Sequence, residues 1–181
     1  MSQSRKTAAR TAALALLVLA GPAAAQDNAG AVPDGISVYT NVRYHWSIAY
    51  PATWSIEAKD DAFVRIVAPE KNGVCGIRSR ATSQPTADAL ADYALAYAQK
   101  NLKEHRSLDQ VTVSRERTKL RGNIDATDVT VDIRPNGGQA RRVYAVAGGN
   151  GFMVDCAASN ASWRSNEPQF KKIIASFTVG R

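Results

Sequence analysis

The sequence predicts an α+β fold with mainly antiparallel strands and two helical segments. Most of the chain alternates apolar and polar residues with a period of two, as strands with one buried face do. The connections between these segments are short and often carry glycine, which is typical of antiparallel hairpins. Two other segments, one in the middle of the chain and one at its end, have helical spacing. These features together predict strands and helices in one α+β domain.

The first 25 residues have the pattern of a secretory signal peptide. Arg5, Lys6 and Arg10 precede the apolar run AALALLVLAGPAAA, and small residues lead to a cleavage site that we place after Ala25. The apolar run is shorter than the roughly 20 residues that a membrane-spanning helix needs. No cysteine stands at the cleavage site, which disfavours a lipid anchor. We therefore expect a protein that is periplasmic or secreted and has no stable membrane anchor.

The rest of the chain has the length of one domain. Residues 26–35 are rich in Gly, Pro, Asn and Asp and are predicted to form a flexible leader, and residues 36–181 a single domain. The signal peptide holds three of the 23 lysines and arginines and none of the 16 acidic residues, so its removal lowers the formal charge from +7 to +4. This modest charge and the expected export argue against nucleic acid as a partner.

Five strands are predicted before the first helix, with the sequences SVYT, YHWSIAY, WSIEAKD, AFVRIVAP and VCGIRSRAT. In YHWSIAY, Trp46, Ile48 and Tyr50 share one face because side chains alternate along a strand. Pro51 ends this strand, since proline cannot donate a ladder hydrogen bond. We expect these aromatic residues and Trp54 to form part of the core. The alternative is that they line a ligand pocket.

The remainder of the chain begins with a predicted helix, TADALADYALAYAQKNLKEH, at residues 86–105, whose packed stripe runs from Leu90 to Leu102. The period then returns to two in QVTVSRERTKL, DATDVTVDIRP, ARRVYAVAG and FMVDCAAS, which predicts a meander of antiparallel hairpins. Residues 162–181 return to helical spacing. Pro168 requires the regular helix to begin near it or to bend there.

Cys75 and Cys156 are the two cysteines of the chain. An even pair in an oxidising compartment favours a structural disulfide, and each lies on the apolar side of its predicted strand. Such a bridge would raise the free energy of the unfolded chain by roughly 4 kcal/mol, because it restricts the conformations of that chain. Two inert buried thiols and a redox pair are the alternatives. The absence of a C-x-x-C motif and of an adjacent histidine disfavours the redox pair.

Two short motifs carry a family resemblance. Residues 50–54, YPATW, give the pattern Y-P-x-x-W at the end of an aromatic-rich strand, and residues 173–177 give I-I-A-S-F at the end of the last helical segment. Several strands, a mid-chain helix and a strand meander lie between them. Over about residues 36–179 this order resembles the PsbP-like superfamily, which includes the PsbP extrinsic subunit of photosystem II, the bacterial DcrB-type envelope proteins and a eukaryotic Ran-binding relative.

The resemblance implies a PsbP-like α/β/α sandwich, in which a twisted, mainly antiparallel sheet is flanked by helices. It implies no catalytic residues, because members of the superfamily are known mainly for binding other proteins or assisting assemblies. It also makes another envelope protein the expected partner. The chain departs from the envelope-protein pattern in lacking a lipid-anchor cysteine.

The residues form no recognisable catalytic or metal-binding motif. His45 and His105 are the two histidines, and the sequence contains no H-x-x-x-H, H-E-x-x-H, calcium-loop or G-x-S-x-G pattern. Adventitious metal binding at His45, Asp125 or Asp128 is an alternative to solvated polar residues. Acid–base chemistry at Asp128 and Asp132, which share a strand face, is a further alternative. We predict no enzyme, no cofactor and no metal site.

Arginines are numerous on neighbouring predicted strands, where they could form a basic surface for an acidic protein, a lipid headgroup or a polyanion. Acidic residues interleave with them, so an ordinary mixed surface is the favoured interpretation. The residues predicted for a ligand or partner surface are Trp46, Tyr50, Trp54, Arg78, Arg80, Arg141 and Arg142.

The function predicted from these features is that of an exported, non-catalytic binding or assembly-accessory protein of the bacterial cell envelope. The alternative is a periplasmic carrier of a small apolar ligand in an aromatic-lined pocket. An enzyme of unrecognised type ranks last.

Overall fold

The computed structural model describes residues 35–106, 108–135 and 137–180. Within these ranges it has ten strands, two α-helices and one short 3-10 helix at Pro69–Lys71. The predicted signal peptide and all of the leader except Gly35 lie outside the described residues. The bounds are β1 Ile36–Asn41, β2 Trp46–Pro51, β3 Ser55–Asp60, β4 Phe63–Val67, β5 Gly73–Ala81, α1 Ala87–Arg106, β6 Asp109–Leu120, β7 Ile124–Arg134, β8 Gly138–Ala147, β9 Asn150–Ala158, α2 Asn160–Ser176 and β10 Thr178–Val179.

The strands form two antiparallel sheets. The larger sheet has the order β3-β4-β5-β9-β8-β7-β6, and the smaller has the order β1-β2-β10. Strands β6 to β9 pair with one another in sequence, which confirms the predicted meander. Gly148 and Gly149 form the turn between β8 and β9 with φ of 54° and 73°, a conformation that favours glycine. Pairing of β5 with β9 joins the first half of the chain to the meander.

Different elements cover the two faces of the large sheet. α2 contacts β5, β8 and β9 and also packs on β2, so α2 and the small sheet lie on one side, the α2 face. α1 contacts β6, β7 and β8 on the other side, the α1 face. The layers therefore confirm the predicted α+β fold, a mainly antiparallel sheet flanked by helices.

Strand alternation divides the buried side chains between two cores. On β8, Val143 and Ala145 join the larger core beneath α2, whereas Ala140 and Tyr144 join the smaller core beneath α1. Successive side chains of a strand point to opposite faces, so the position of a residue along β8 decides which core it enters.

The predicted disulfide is present. Cys75 and Cys156 stand directly opposite each other in the β5–β9 register, and their sulfurs are bonded. Both residues are 0% exposed and belong to the core beneath α2. The bridge thus links two central strands of the large sheet, as their placement on apolar strand faces predicted.

The second strand begins later than predicted. β2 starts at Trp46, because Tyr44 and His45 lie in the turn that follows β1. His45 has a φ of 53°, which an extended strand does not accommodate. Pro51 is the last residue of β2, as the sequence predicted.

The last helix runs through its proline. α2 begins at Asn160, eight residues before Pro168, which excludes the predicted alternative of a start near the proline. Trp163 and Asn166 of the first two turns are buried. Their packing holds the segment helical although proline removes one backbone hydrogen bond.

The end of α2 also differs from the prediction. Phe177 is not helical, since its φ of −63° and ψ of 128° are extended, and its side chain is 0% exposed. Thr178–Val179 then pairs with β2 as β10, a strand that the sequence did not predict.

Within the described residues, neither helix combines the length and hydropathy needed to cross a bilayer.

Candidate functional site

The aromatic residues of β2 and the following turn lie inside the protein. Trp46 is 2% exposed, and its ring centroid lies 5.4 Å from that of Tyr39 and 5.7 Å from that of Phe177. Tyr50 is partly buried and packs against the same core. Tilted ring pairs at these distances are a favourable form of aromatic packing.

Trp54 belongs to a second group of rings in that core. It is 8% exposed, and its ring meets the ring of Phe170 edge to face at 6.1 Å. Phe170 in turn lies 5.6 Å from Trp163 of the same helix. Both tryptophans predicted for a ligand surface therefore contact side chains of their own core.

The four predicted arginines are divided between the two faces of the sheet. Arg78 and Arg80 are exposed on β5, and they pair across the β5–β9 ladder with Met153 and Gly151. Met153 packs with the core beneath α1, so these two arginines lie on the α1 face. Arg142 is on the same face, whereas Arg141, its chain neighbour, points to the α2 face.

Arg141 is held by a carboxylate. Its Nε donates to Oδ2 of Asp128 at 2.9 Å and to Oδ1 at 3.1 Å. These hydrogen bonds raise the pKa of Arg141 above its ordinary value. Arg141 is therefore paired within the protein and does not continue the surface of Arg78 and Arg80.

The exposed arginines stand on a part of the sheet that α1 leaves uncovered. α1 packs on β6, β7 and β8, and among the described residues no helix packs on the other end of the same face. We call this surface the open half-face, formed by Phe63, Arg65, Arg78, Arg80 and Met153.

Aromatic rings support both exposed arginines. The Cζ atom of Arg78 lies 4.6 Å from the centroid of the Phe63 ring, and that of Arg80 lies 5.6 Å from the centroid of the Tyr93 ring on α1. Both distances fall within the range of cation–π interactions. The guanidinium groups therefore lean apart, one towards β4 and the other towards α1.

Gly76 makes room for the first of these stacks. A Cβ atom at this position would lie 3.2 Å from Cε2 of Phe63, closer than ordinary van der Waals contact. The missing side chain lets the Phe63 ring lie across β5, where the guanidinium of Arg78 covers it. No sequence motif predicts this arrangement. Its only sequence signal is a glycine two residues before an arginine on β5.

Arg142 is buried between the sheet and α1. It is 8% exposed, and it donates to Oε1 of Gln110 at 2.8 Å and to Oδ1 of Asp155 at 3.3 Å. Burial opposes its charge, but Asp155 and Tyr144 outweigh that effect and raise the pKa of Arg142. Burial also raises the pKa of Tyr144 to about 12. Gln110 donates to the Leu95 carbonyl, so this network attaches α1 to the sheet.

A second polar cluster attaches the start of α1. Asp88 accepts hydrogen bonds from the Thr127 hydroxyl at 2.8 Å and from Nε of Arg117 at 2.7 Å. These two bonds lower the pKa of Asp88 below its ordinary range. Arg115 also reaches Asp88 at 3.3 Å. Arg115 and Arg117 of β6 therefore help to hold α1 on the sheet.

The carboxylates considered for metal binding or catalysis are each in ion pairs. Lys119 lies 2.8 Å from Asp125, and Arg134 lies 2.8 Å from Asp132. Asp128 holds Arg141, as described above. Within the described part of the chain, no three His, Cys, Asp or Glu side chains converge. His45 lies in the β1–β2 turn, and the side chain of His105 is outside the described structure.

Comparison with known proteins identifies the fold. No family model and no curated protein matches the chain. Among solved structures, the cyanobacterial PsbP protein (CyanoP) of Synechocystis is similar over 88% of this chain and 100% of its own length, with a TM-score of 0.66 and 13% sequence identity.

Two further structures are less similar. One, from Bacteroides thetaiotaomicron, matches 80% of this chain and 48% of its own length, with a TM-score of 0.43 and 14% identity. The other, a Pseudomonas aeruginosa protein of unknown function, matches 81% of this chain and 97% of its own, with a TM-score of 0.46 and 19% identity. The similarity to CyanoP shows that the chain has the PsbP-like fold, as its Y-P-x-x-W and I-I-A-S-F motifs predicted.

Proposed function

We propose that this chain is an exported, non-catalytic binding or assembly-accessory protein of the bacterial cell envelope, and that its partner is another envelope protein. The observation that carries the proposal is the open half-face, where Arg78 and Arg80 lie exposed on aromatic rings. The PsbP-like fold and the signal-like N-terminal sequence are consistent with it.

An uncovered sheet face is common in antiparallel proteins and by itself indicates little. The side chains on this one are distinctive. Arginine and tyrosine are enriched among the residues that dominate binding energy at protein interfaces. On the open half-face, Arg80 stacks on Tyr93, whose side chain remains 48% exposed and available to a partner.

The disulfide supports the export part of the proposal. Structural disulfides persist in oxidising compartments such as the bacterial periplasm and are rare in the cytosol. The Cys75–Cys156 bridge is fully buried in the larger core, where it contributes to the fold and not to surface chemistry.

The proposal is tested by cross-linking in intact cells. The full-length chain with a C-terminal tag is expressed in its native bacterium, the cells are fractionated, and envelope proteins cross-linked to it are identified. We expect the tagged chain in the periplasmic or secreted fraction, and a small, reproducible set of envelope partners. A chain that remains in the cytoplasm, or one that yields no reproducible envelope partner, would contradict the proposal.

A further inference from the structure

Building on the proposed function, we infer that the open half-face binds an acidic segment of the partner protein, with Arg78 and Arg80 as the principal contacts to its carboxylates. The inference specifies both the surface and the chemistry of the partner. It depends on which charges of this surface are already neutralised within the protein.

The carboxylates that border the open half-face are engaged. Glu57 lies 3.2 Å from Arg65, and Asp155 lies 3.3 Å from the buried Arg142. Asp60 accepts hydrogen bonds at 2.8 Å from the backbone N–H groups of Ala62 and Phe63.

Arg78 and Arg80 are left without such a partner. Among the described residues, no carboxylate oxygen lies within 4.0 Å of either guanidinium. Two permanent positive charges therefore remain on a surface whose acidic side chains are otherwise occupied. An external carboxylate is the complement that this surface lacks.

The rings beneath the two arginines prepare them for such a contact. A guanidinium that stacks on a ring uses one flat side for that interaction and keeps its in-plane N–H donors free. Those donors match a carboxylate in a two-point hydrogen bond. Because Phe63 and Tyr93 already restrict the side chains, less conformational entropy is lost on binding.

The shape of the surface favours a polypeptide over a lipid bilayer. α1 packs on the same face of the sheet, and a helix with its side chains is about 10 Å across. The open half-face is therefore a step below α1, with Tyr93 on the wall of that step. A narrow chain segment can lie along the step, whereas a flat membrane would meet α1 first.

The test uses a synthetic peptide as the probe. A ten-residue peptide of alternating Glu and Thr is titrated into the full-length mature protein and followed by NMR, with a Gln/Thr peptide of the same length as the neutral control. We expect the acidic peptide to shift the amide signals of β5 and of α1 near Tyr93. The shifts should weaken as salt is added, because exposed charges are screened.

Matched variants then separate a site from a general charge effect. Arg78→Gln/Arg80→Gln should weaken binding about tenfold, since two exposed charge pairs are lost. Arg164→Gln/Lys172→Gln removes the same charge from the exposed side of α2 and should leave the affinity within about twofold. Arg78→Lys/Arg80→Lys keeps the charge and should bind more weakly than the wild type, because lysine lacks the planar fork.

Several results would overturn the inference. They are equal loss of binding in the two glutamine variants, shifts that map elsewhere, or no binding of the acidic peptide. The inference would also be wrong if the protein did not bind the peptide but bound vesicles of equal parts phosphatidylglycerol and phosphatidylethanolamine through Arg78 and Arg80. Thermal unfolding of each variant checks that a loss of binding is not a loss of folding.

The cross-linking experiment distinguishes this inference from the proposed function. If the wild type and Arg78→Gln/Arg80→Gln capture the same envelope partner equally well, the proposed function stands and the inference about this surface is wrong. If neither captures any partner, the proposed function itself fails.

Discussion

Loss of the Cys75–Cys156 disulfide should lower the free energy of unfolding by about 4.5 kcal/mol at 25 °C. The two cysteines are 81 positions apart in the chain. A bridge that closes a loop of this length reduces the entropy of the unfolded chain, and the chain-entropy relation gives about 4.5 kcal/mol. Domains typically unfold with about 5–15 kcal/mol, so the bridge accounts for a large part of the expected stability.

The measurement is guanidinium unfolding of the oxidised and the reduced wild type, followed by the fluorescence of the buried tryptophans. Reduction breaks the bond without removing any side-chain heavy atom, so it creates no large cavity. Cys75→Ala/Cys156→Ala should lose more, because it also empties space at two residues that are 0% exposed. The slope of the transition should rise without the bridge, since the unfolded chain expands.

A difference below about 1 kcal/mol between the oxidised and reduced proteins would refute this reasoning, because removal of a native disulfide typically costs about 2–5 kcal/mol. It would mean that the unfolded chain is already restricted without the bridge.

Three further predictions concern the larger core, the carboxylate of Asp88 and the close backbone approach at Gly138. Phe170→Ala removes a fully buried ring that contacts two tryptophans and should cost about 4 kcal/mol in urea unfolding, whereas a cost below about 1 kcal/mol would contradict the packing described. The lowered pKa of Asp88 means that its carboxylate stabilises the folded state above its ordinary pKa and that this contribution is lost as the pH falls through the lowered value. The melting temperature of the wild type should therefore exceed that of Asp88→Asn near neutral pH and approach it below about pH 4, and a gap independent of pH would exclude this role. Gly138→Ala places a Cβ atom 2.2 Å from the Ala158 carbonyl oxygen at a φ of 94°, and it should lower the free energy of unfolding by at least about 2 kcal/mol. Gly148→Ala also has a positive φ but meets open space, so it should lower that free energy by only about 1 kcal/mol. Equal losses in the two variants would argue against the close approach at Gly138.

Most of the strands could be predicted from the sequence, because the alternation of apolar and polar residues is a local property. It placed Cys75 and Cys156 on apolar strand faces, and the structure pairs them directly across β5 and β9. The end of α2 was harder to predict, because its boundary depends on the docking of Phe177 and on the pairing of Thr178–Val179 with a strand far away in sequence. Such long-range contacts leave no local period.

Strand alternation also determines which face each arginine occupies. Arg141 and Arg142 are adjacent on β8, so alternation alone required them to point to opposite faces. The structure places Arg142 on the same face as Arg78 and Arg80, and Arg141 on the opposite face. What the sequence could not provide is the position of α1 over β6, β7 and β8, which buries Arg142 and leaves Arg78 exposed.

The exposed arginines lie apart from the disulfide and from the larger core. The disulfide and the larger aromatic core lie on the α2 face, whereas Arg78 and Arg80 lie on the α1 face beyond the edge of α1. Removing the two guanidinium groups leaves the α2 face untouched, and each exposed charge contributes only about 0–1 kcal/mol to stability. We therefore expect substitutions at Arg78 and Arg80 to change the charge of the open half-face without unfolding the domain.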